Sequence, residues 1–128
     1  MNERITPVQA DKAPAALGPY SAGMAYDKLL FLSGQTPLDP KTSQLVAGGI
    51  KEQTEQVIMN LGAVLEAAGS GFDKVIKTTC FLTDMADFAD FNEVYGRHFI
   101  SKPARSTVAV KALPKGAMVE IELIASIG

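Results

Sequence analysis

Apolar and polar positions recur along this chain with two periods, and each change of period marks a new element. Short runs of strand character lie at 5–8, 20–26 and 29–35, and Asp27-Lys28 between the last two is a hairpin-length connection. Segment 1–19 as a whole is polar and turn-rich, with Pro7, Pro14 and Pro19, and 36–49, with Pro37, Pro40, Gly48 and Gly49, reads as a loop. From 50 to 68 the period becomes helical. Ile50, Val57, Ile58, Leu61, Val64, Leu65 and Ala68, with Thr54, form one stripe, and Lys51, Glu52, Glu55, Gln56 and Glu66 lie off it. Gly69 and Gly71 end that helix, as a glycine after the last turn commonly does. Residues 75–82 alternate again. A second helix, begun by Asp84 or Asp87, places Phe88, Phe91, Val94, Tyr95 and Phe99 on one face and ends before Pro103. Segments 104–112 and 118–126 read as strands joined by a turn at 113–117, a second hairpin.

Strands and helices in this order predict an α+β fold, with residues 1–128 as a single domain and two helices covering one face of a four- to six-stranded sheet. The other face should then be polar. The last strand obeys: Val119, Ile121, Leu123 and Ala125 point one way, and Met118, Glu120, Glu122 and Ile124 the other. The strand at 29–35 does not, because Leu29 and Phe31 alternate with Leu30 and Leu32. Tyr20, Met24 and Tyr26 share a face, and Phe81 lies opposite Leu82. Burying a large apolar side chain is worth about 1.5–3 kcal/mol. Several left in water form a patch that invites association. The pattern therefore predicts a homo-oligomer packed sheet face to sheet face; a monomer with scattered exposed apolar residues is the alternative.

Composition narrows the function classes. The 128 residues are 47% hydrophobic and 20% charged, which fits an ordinary globular chain. A net charge of −2 is no electrostatic footprint for nucleic acid. One Cys and one His, Cys80 and His98, make neither an intrachain disulfide nor a protein-only zinc site. No run is long enough to span a membrane, and the N-terminal residues lack a signal-peptide pattern, so a reducing cytoplasmic location is expected. Metalloprotease, nucleophile-elbow and Walker motifs are missing, and Gly69-Ser-Gly71 is a helix stop rather than a dinucleotide fingerprint. Cys80 alternates with strand residues and reads as a small core residue, and His98 as a surface or interface residue.

The chemically interesting residues are in the last two strands. Arg105, Thr107, Ala109 and Lys111 share one side of theirs, and Glu120 and Glu122 share one side of the other. If the two strands pair, Ser106, Val108 and Val110 complement Val119, Ile121 and Leu123, and the charged sides coincide. By itself such a face is a solvated surface whose ion pairs contribute little. Covered by a neighbouring subunit it becomes a cleft, and a guanidinium there is a ready fork for a carboxylate.

These same segments carry a resemblance. Pro103-Ala-Arg-Ser-Thr107, Leu113-Pro-Lys-Gly-Ala117 and Val119-Glu-Ile-Glu122 are similar to the C-terminal signature of the Rid family, the reactive-intermediate (enamine/imine) deaminases also called YjgF. Upstream, Ala13-Pro-Ala-Ala-Leu-Gly-Pro-Tyr20-Ser, Leu32-Ser-Gly-Gln35, Val75-Ile-Lys-Thr-Thr79 and Phe91-Asn-Glu-Val-Tyr95 resemble family segments in the same order, so the likeness covers nearly the whole chain. It is closest in type to the RidA-like subgroup. The resemblance implies a chorismate-mutase-like α+β fold and a homotrimer whose sheets form an inner β-barrel, with clefts between subunits. It implies hydrolysis of 2-iminobutanoate and 2-iminopropanoate to 2-oxo acids and ammonia, without metal or other cofactor. Arg105 would hold the substrate carboxylate and Glu120 would position water, while Tyr20, Ser33, Gly34, Asn92 and Thr107 would line the cleft. Thr107 stands where the family often has Cys, which keeps the backbone N–H and excludes thiol chemistry there. The competing expectation is a module that binds small carboxylates or 2-oxo acids without turnover. RNA cleavage is disfavoured by the −2 charge, the single His and the absence of a basic-aromatic stripe.

Overall fold

The computed structural model describes residues 4–128. Among these residues the chain forms β1 (Ile5–Val8), β2 (Gly23–Tyr26), β3 (Leu29–Gln35), α1 (Ile50–Ala67), β4 (Val75–Leu82), α2 (Phe88–His98), β5 (Ala104–Ala109) and β6 (Val119–Ser126). The strands make one six-stranded sheet in the order β1-β2-β3-β6-β4-β5. All neighbours are antiparallel except β4 and β5. Both helices pack on one face of this mixed, mostly antiparallel sheet, as the alternation of periods predicts.

The helix α1 begins where the Glu52 carboxylate reaches back to accept the Gly49 N–H at 2.8 Å. It ends in a Schellman arrangement. Gly69, at φ 76°, takes the left-handed conformation that glycine adopts without cost, and the Gly69 and Ser70 N–H groups donate to Glu66 O and Leu65 O. The stripe Val57, Ile58, Leu61, Val64 and Leu65 is wholly buried against Leu30, Leu32, Val119, Ile121, Leu123 and Ala125. Cys80 is fully buried in the same core, and burial pushes its thiol up to about 11, so it is a packing residue with no thiolate character at neutral pH. The loop from 36 to 49 is tied to α1 by the Asn60 amide, which donates to Thr36 O and Leu38 O.

Two readings of the pattern need correction, and a third is decided between its alternatives. Tyr20 lies outside the hairpin strand, which begins at Gly23. Asp84, not Asp87, is the side-chain cap: it accepts from the Ala86 N–H and starts a 3-10 turn ahead of α2. The largest correction concerns the second hairpin, because β5 and β6 are not paired. Strand β5 lies parallel to β4, and β6 lies on the other side of β4, inserted between it and β3. The reason is the crossover. With α2 between them, β4 and β5 make a βαβ unit, whose strands run parallel. The connection from 110 to 118 then has to carry the chain past β4 to its free edge.

This topology decides which face each side chain occupies. In the β4–β6 register Thr78, Cys80 and Leu82 stand beside Leu123, Ile121 and Val119, on the helix side. In the parallel β4–β5 register Thr78 stands beside Arg105 and Cys80 beside Thr107. Arg105 and Thr107 therefore lie on the helix side, and Glu120 and Glu122, beside Phe81 and Thr79, lie on the open side. The expectation that Arg105 and the two glutamates share a face within one chain is overturned, as is the pairing of Ser106, Val108 and Val110 with the β6 core residues.

The double-sided apolar strand is confirmed. Leu30 and Leu32 are in the core, while Leu29 and Phe31 are 39% and 42% exposed on the open face. Around them lie Met24, Tyr26 and Ile124, their neighbours in register, with Phe81 and Val108 farther along the sheet. No helix of the described residues is long and apolar enough to cross a membrane.

Candidate active site

The seven residues singled out in the sequence fall into two groups. The first is built on α2 and the edge strand β5. Arg105 projects from β5 toward α2, where Phe88, Asn92 and Tyr95 stand at helical spacing on one stripe. Its Nη1 donates to Asn92 Oδ1 at 2.7 Å. Its guanidinium carbon sits 4.7 Å from the Tyr95 ring centre and 5.5 Å from that of Phe88. Among the described residues no carboxylate reaches it and no second acceptor occupies its Nε and Nη2 edge. Arg105 and Asn92 line a cavity of about 600 Å³, together with Tyr95 and Pro103. Thr107 is two residues along β5 on the same side, and its buried hydroxyl oxygen has no hydrogen-bond partner among the described residues.

The second group lies where β3 meets β6. The register of that pair slips between Leu32 and Gln35, so Ser33 and Gly34 occupy an irregularity of the kind that often re-aims a strand near a site. Ser33 Oγ donates to Ser21 O at 2.6 Å, and its N–H donates to Ala22 O. Gly34 faces the Glu120 side chain so closely that a β-carbon there would lie 2.8 Å from Glu120 Cδ. Any side chain at this position would push on Glu120 through this close approach; backbone conformation does not demand glycine, since its φ is not positive. Tyr20, more than half exposed, lines a small cavity with Gly34, Gln35 and Thr36. Burial, with Glu122 nearby as a second negative charge, raises the Glu120 carboxyl above the ordinary carboxylate range.

Tyr20, Ser33, Gly34 and Glu120 thus gather in one group, and Arg105, Asn92 and Thr107 in another. Within one chain the two carriers of charge, Arg105 and Glu120, stand on opposite faces of the sheet. Phe88 and Tyr95 were read in the sequence only as a helix stripe facing the core. Their spacing around Asn92 was the available signal, because positions i, i+4 and i+7 face one neighbour. His98 Nε2 lies within hydrogen-bond distance of Glu55, 2.9 Å from its Oε2, and the His98 ring meets that of Phe72. A larger cavity of about 780 Å³ beside α1 contains none of the residues singled out in the sequence for the site. Among the described residues no three His, Cys, Asp or Glu side chains gather as metal ligands.

The chain is similar to known proteins along nearly its whole length. The family model described as "Endoribonuclease L-PSP" matches residues 10–127. A protein of Myxococcus xanthus, DfrA, is 53% identical over 121 residues, covering 92% of each chain. The 2-iminobutanoate/2-iminopropanoate deaminase of mouse is 50% identical over 119 residues, covering 92% of this chain and 88% of its own. Among solved structures, the YEO7 protein of yeast superposes with a TM-score of 0.94 at 49% identity, covering 97% of this chain and 99% of its own. The chain therefore belongs to the L-PSP, or YjgF, family of Rid proteins.

Proposed function

We propose that this protein is a cofactor-independent deaminase that hydrolyses small 2-imino acids, with 2-iminobutanoate and 2-iminopropanoate as substrates, in clefts between the subunits of a homotrimer. The observation that carries the reading is the state of Arg105: a guanidinium held by α2, without a carboxylate partner among the described residues, on the lining of a cavity. A fork in that condition matches a carboxylate with two parallel hydrogen bonds. The name of the mouse relative points to the same substrates.

The placement of Glu120 supports the assembly. One chain keeps its glutamate and its arginine on opposite faces of the sheet, so a cleft that uses both needs Glu120 from one subunit and Arg105 from the next. The apolar open face around Phe31 and Leu29 supplies the driving force for that contact.

Imine hydrolysis asks little of a protein. Arg105 binds the substrate carboxylate and fixes the C=N carbon. Glu120 accepts a proton from water as the water oxygen bonds to that carbon and the C=N π pair moves to nitrogen, and it passes this proton to the nitrogen to give a neutral carbinolamine. Glu120 then takes the carbinolamine hydroxyl proton and delivers it to the nitrogen, the C–N bond breaks as the C=O bond forms, and ammonia leaves with the 2-oxo acid. A raised carboxyl suits this exchange, since proton transfer is best served by a group titrating nearer the working pH. Orientation contributes several kcal/mol, and one acid–base group adds about 10²–10⁴-fold.

The test couples the protein to a pyridoxal-dependent serine/threonine dehydratase and follows 2-oxo acid release. Faster release with the protein than without it, abolished by Arg105→Ala, is the expected result. Tight binding of 2-oxobutanoate with no acceleration makes the protein a binding module instead. Ribonuclease activity that persists in Arg105→Ala after extensive purification would move the function to RNA, in keeping with the family model's description.

A further inference from the structure

The guanidinium of Arg105 ends a long flexible side chain, and a carboxylate fork works only when its plane is fixed. We propose that Tyr95, anchored by Thr78, is a positioning residue that sets the plane of Arg105 for the substrate carboxylate; this rests on the deaminase reading above.

The geometry is specific. Tyr95 is 7% exposed, and its ring is stacked on Phe99 at 4.3 Å with 23° between the planes. Its hydroxyl and that of Thr78 share a hydrogen bond of 2.7 Å. Thr78 is fully buried and is the residue beside Arg105 in the β4–β5 register. The tyrosine is therefore fixed at its tip by the strand next to the arginine and along its ring by Phe99. The surface it offers to Arg105, 4.7 Å from ring centre to guanidinium carbon, is held as firmly as the core itself. Asn92, one helical turn before, holds Nη1 at 2.7 Å. A ring face attracts a guanidinium and favours one relative plane, and an amide oxygen fixes rotation within that plane. Together they leave the remaining edge without an acceptor among the described residues.

A purely structural role does not account for the hydroxyl pair. Phenylalanine and valine would fill the same volume without two buried polar groups that need one another. Their pairing is explained if the tip of the ring must not slide relative to β4, from whose neighbouring strand Arg105 projects.

The experiment uses the full chain, with 2-oxobutanoate as the probe ligand and the Arg105 Nε–H resonance, assigned by its loss in Arg105→Lys, as the spectroscopic readout. In the unaltered protein that resonance should be displaced by the Tyr95 ring current. Tyr95→Leu should send it to the position of solvent-exposed arginines and weaken 2-oxobutanoate binding about tenfold, the scale of one cation–π contact. Tyr95→Phe, which removes the same hydrogen bond as Thr78→Val, should keep the displacement but broaden the resonance and weaken binding about threefold. If Tyr95→Leu does not fold, Thr78→Val carries the test, with a broadened resonance and about threefold weaker binding expected. The proposal is overturned by an undisplaced resonance in the unaltered protein. It is equally overturned if the folded Tyr95→Leu protein, or Thr78→Val in its place, keeps the original affinity. If the unaltered protein binds no 2-oxobutanoate, the deaminase reading itself fails and this inference with it. If it binds and Tyr95→Leu binds equally well, the inference alone fails.

Discussion

Adding one methyl group at Gly34 tests the role of Glu120 without touching Glu120. A β-carbon at position 34 would stand 2.8 Å from Glu120 Cδ and 3.0 Å from its Cγ. Carbon atoms in ordinary contact are about 3.5–4.0 Å apart, so the carboxyl has to move by about 1 Å. A displacement of that size in a catalytic group costs about 10²-fold in rate. Stability should barely change, because the group that must move is the free end of a half-exposed side chain and the backbone at Gly34 is not in the left-handed region. Gly34→Ala is therefore expected to lower kcat/KM for dehydratase-generated iminobutanoate about a hundredfold. The melting temperature and the assembled mass should stay as they are, and 2-oxobutanoate affinity should fall less than the rate, since Arg105 is undisturbed. A folded, assembled Gly34→Ala protein that turns over within threefold of the unaltered one would refute the reasoning and return Glu120 to the solvated face of the sheet.

Three further outcomes follow from the same geometry. Arg105→Lys keeps the charge but loses the fork and the planar contact with Tyr95, so KM should rise by about tenfold or more; an unchanged KM in the coupled assay would remove Arg105 as the anchor. Glu120→Gln should slow turnover and yet raise the melting temperature at pH 7. The folded state raises this carboxyl, so it binds the proton more tightly than the unfolded chain does. Its stabilising contribution is full at low pH and is lost as pH rises through the raised folded value, so the advantage of Gln should vanish in melts at pH 4. Phe31→Glu places a charge in the middle of the apolar open face and should yield a species with the mass of one chain in light scattering; a retained trimer would mean that this face is not the interface.

The sequence shows local periodicity well and partnership poorly. The stripe Val57, Leu61, Val64 and Leu65 and the alternation of Val119, Ile121 and Leu123 are enforced by burial along one element, so each is legible where it stands. Leu29 and Phe31 betrayed a second apolar face for the same reason. Which strand lies beside which is set by long-range packing, and period-2 alternation is silent about it. Pairing β5 with β6 placed Arg105 and Glu120 on one face, whereas the α2 crossover places them on opposite faces. The strand–helix–strand run from Val75 to Ala109 was the clue, since a helix between two strands commonly returns the chain parallel. Asn92 could be named only through resemblance, and Tyr95 was absorbed into a core stripe because its second contact, with Arg105, comes from a strand outside that helix.

The most direct measurement of the account mixes two inactive proteins. Arg105→Ala and Glu120→Gln subunits, unfolded and reassembled together in equal amounts, should regain about a quarter of the unaltered activity, because that share of clefts in a randomly assembled ring joins an intact Arg105 to a neighbour's intact Glu120. Mixed trimers that stay as inactive as either parent would contradict the account, for then both residues would serve one cleft from the same chain, or neither would serve it at all.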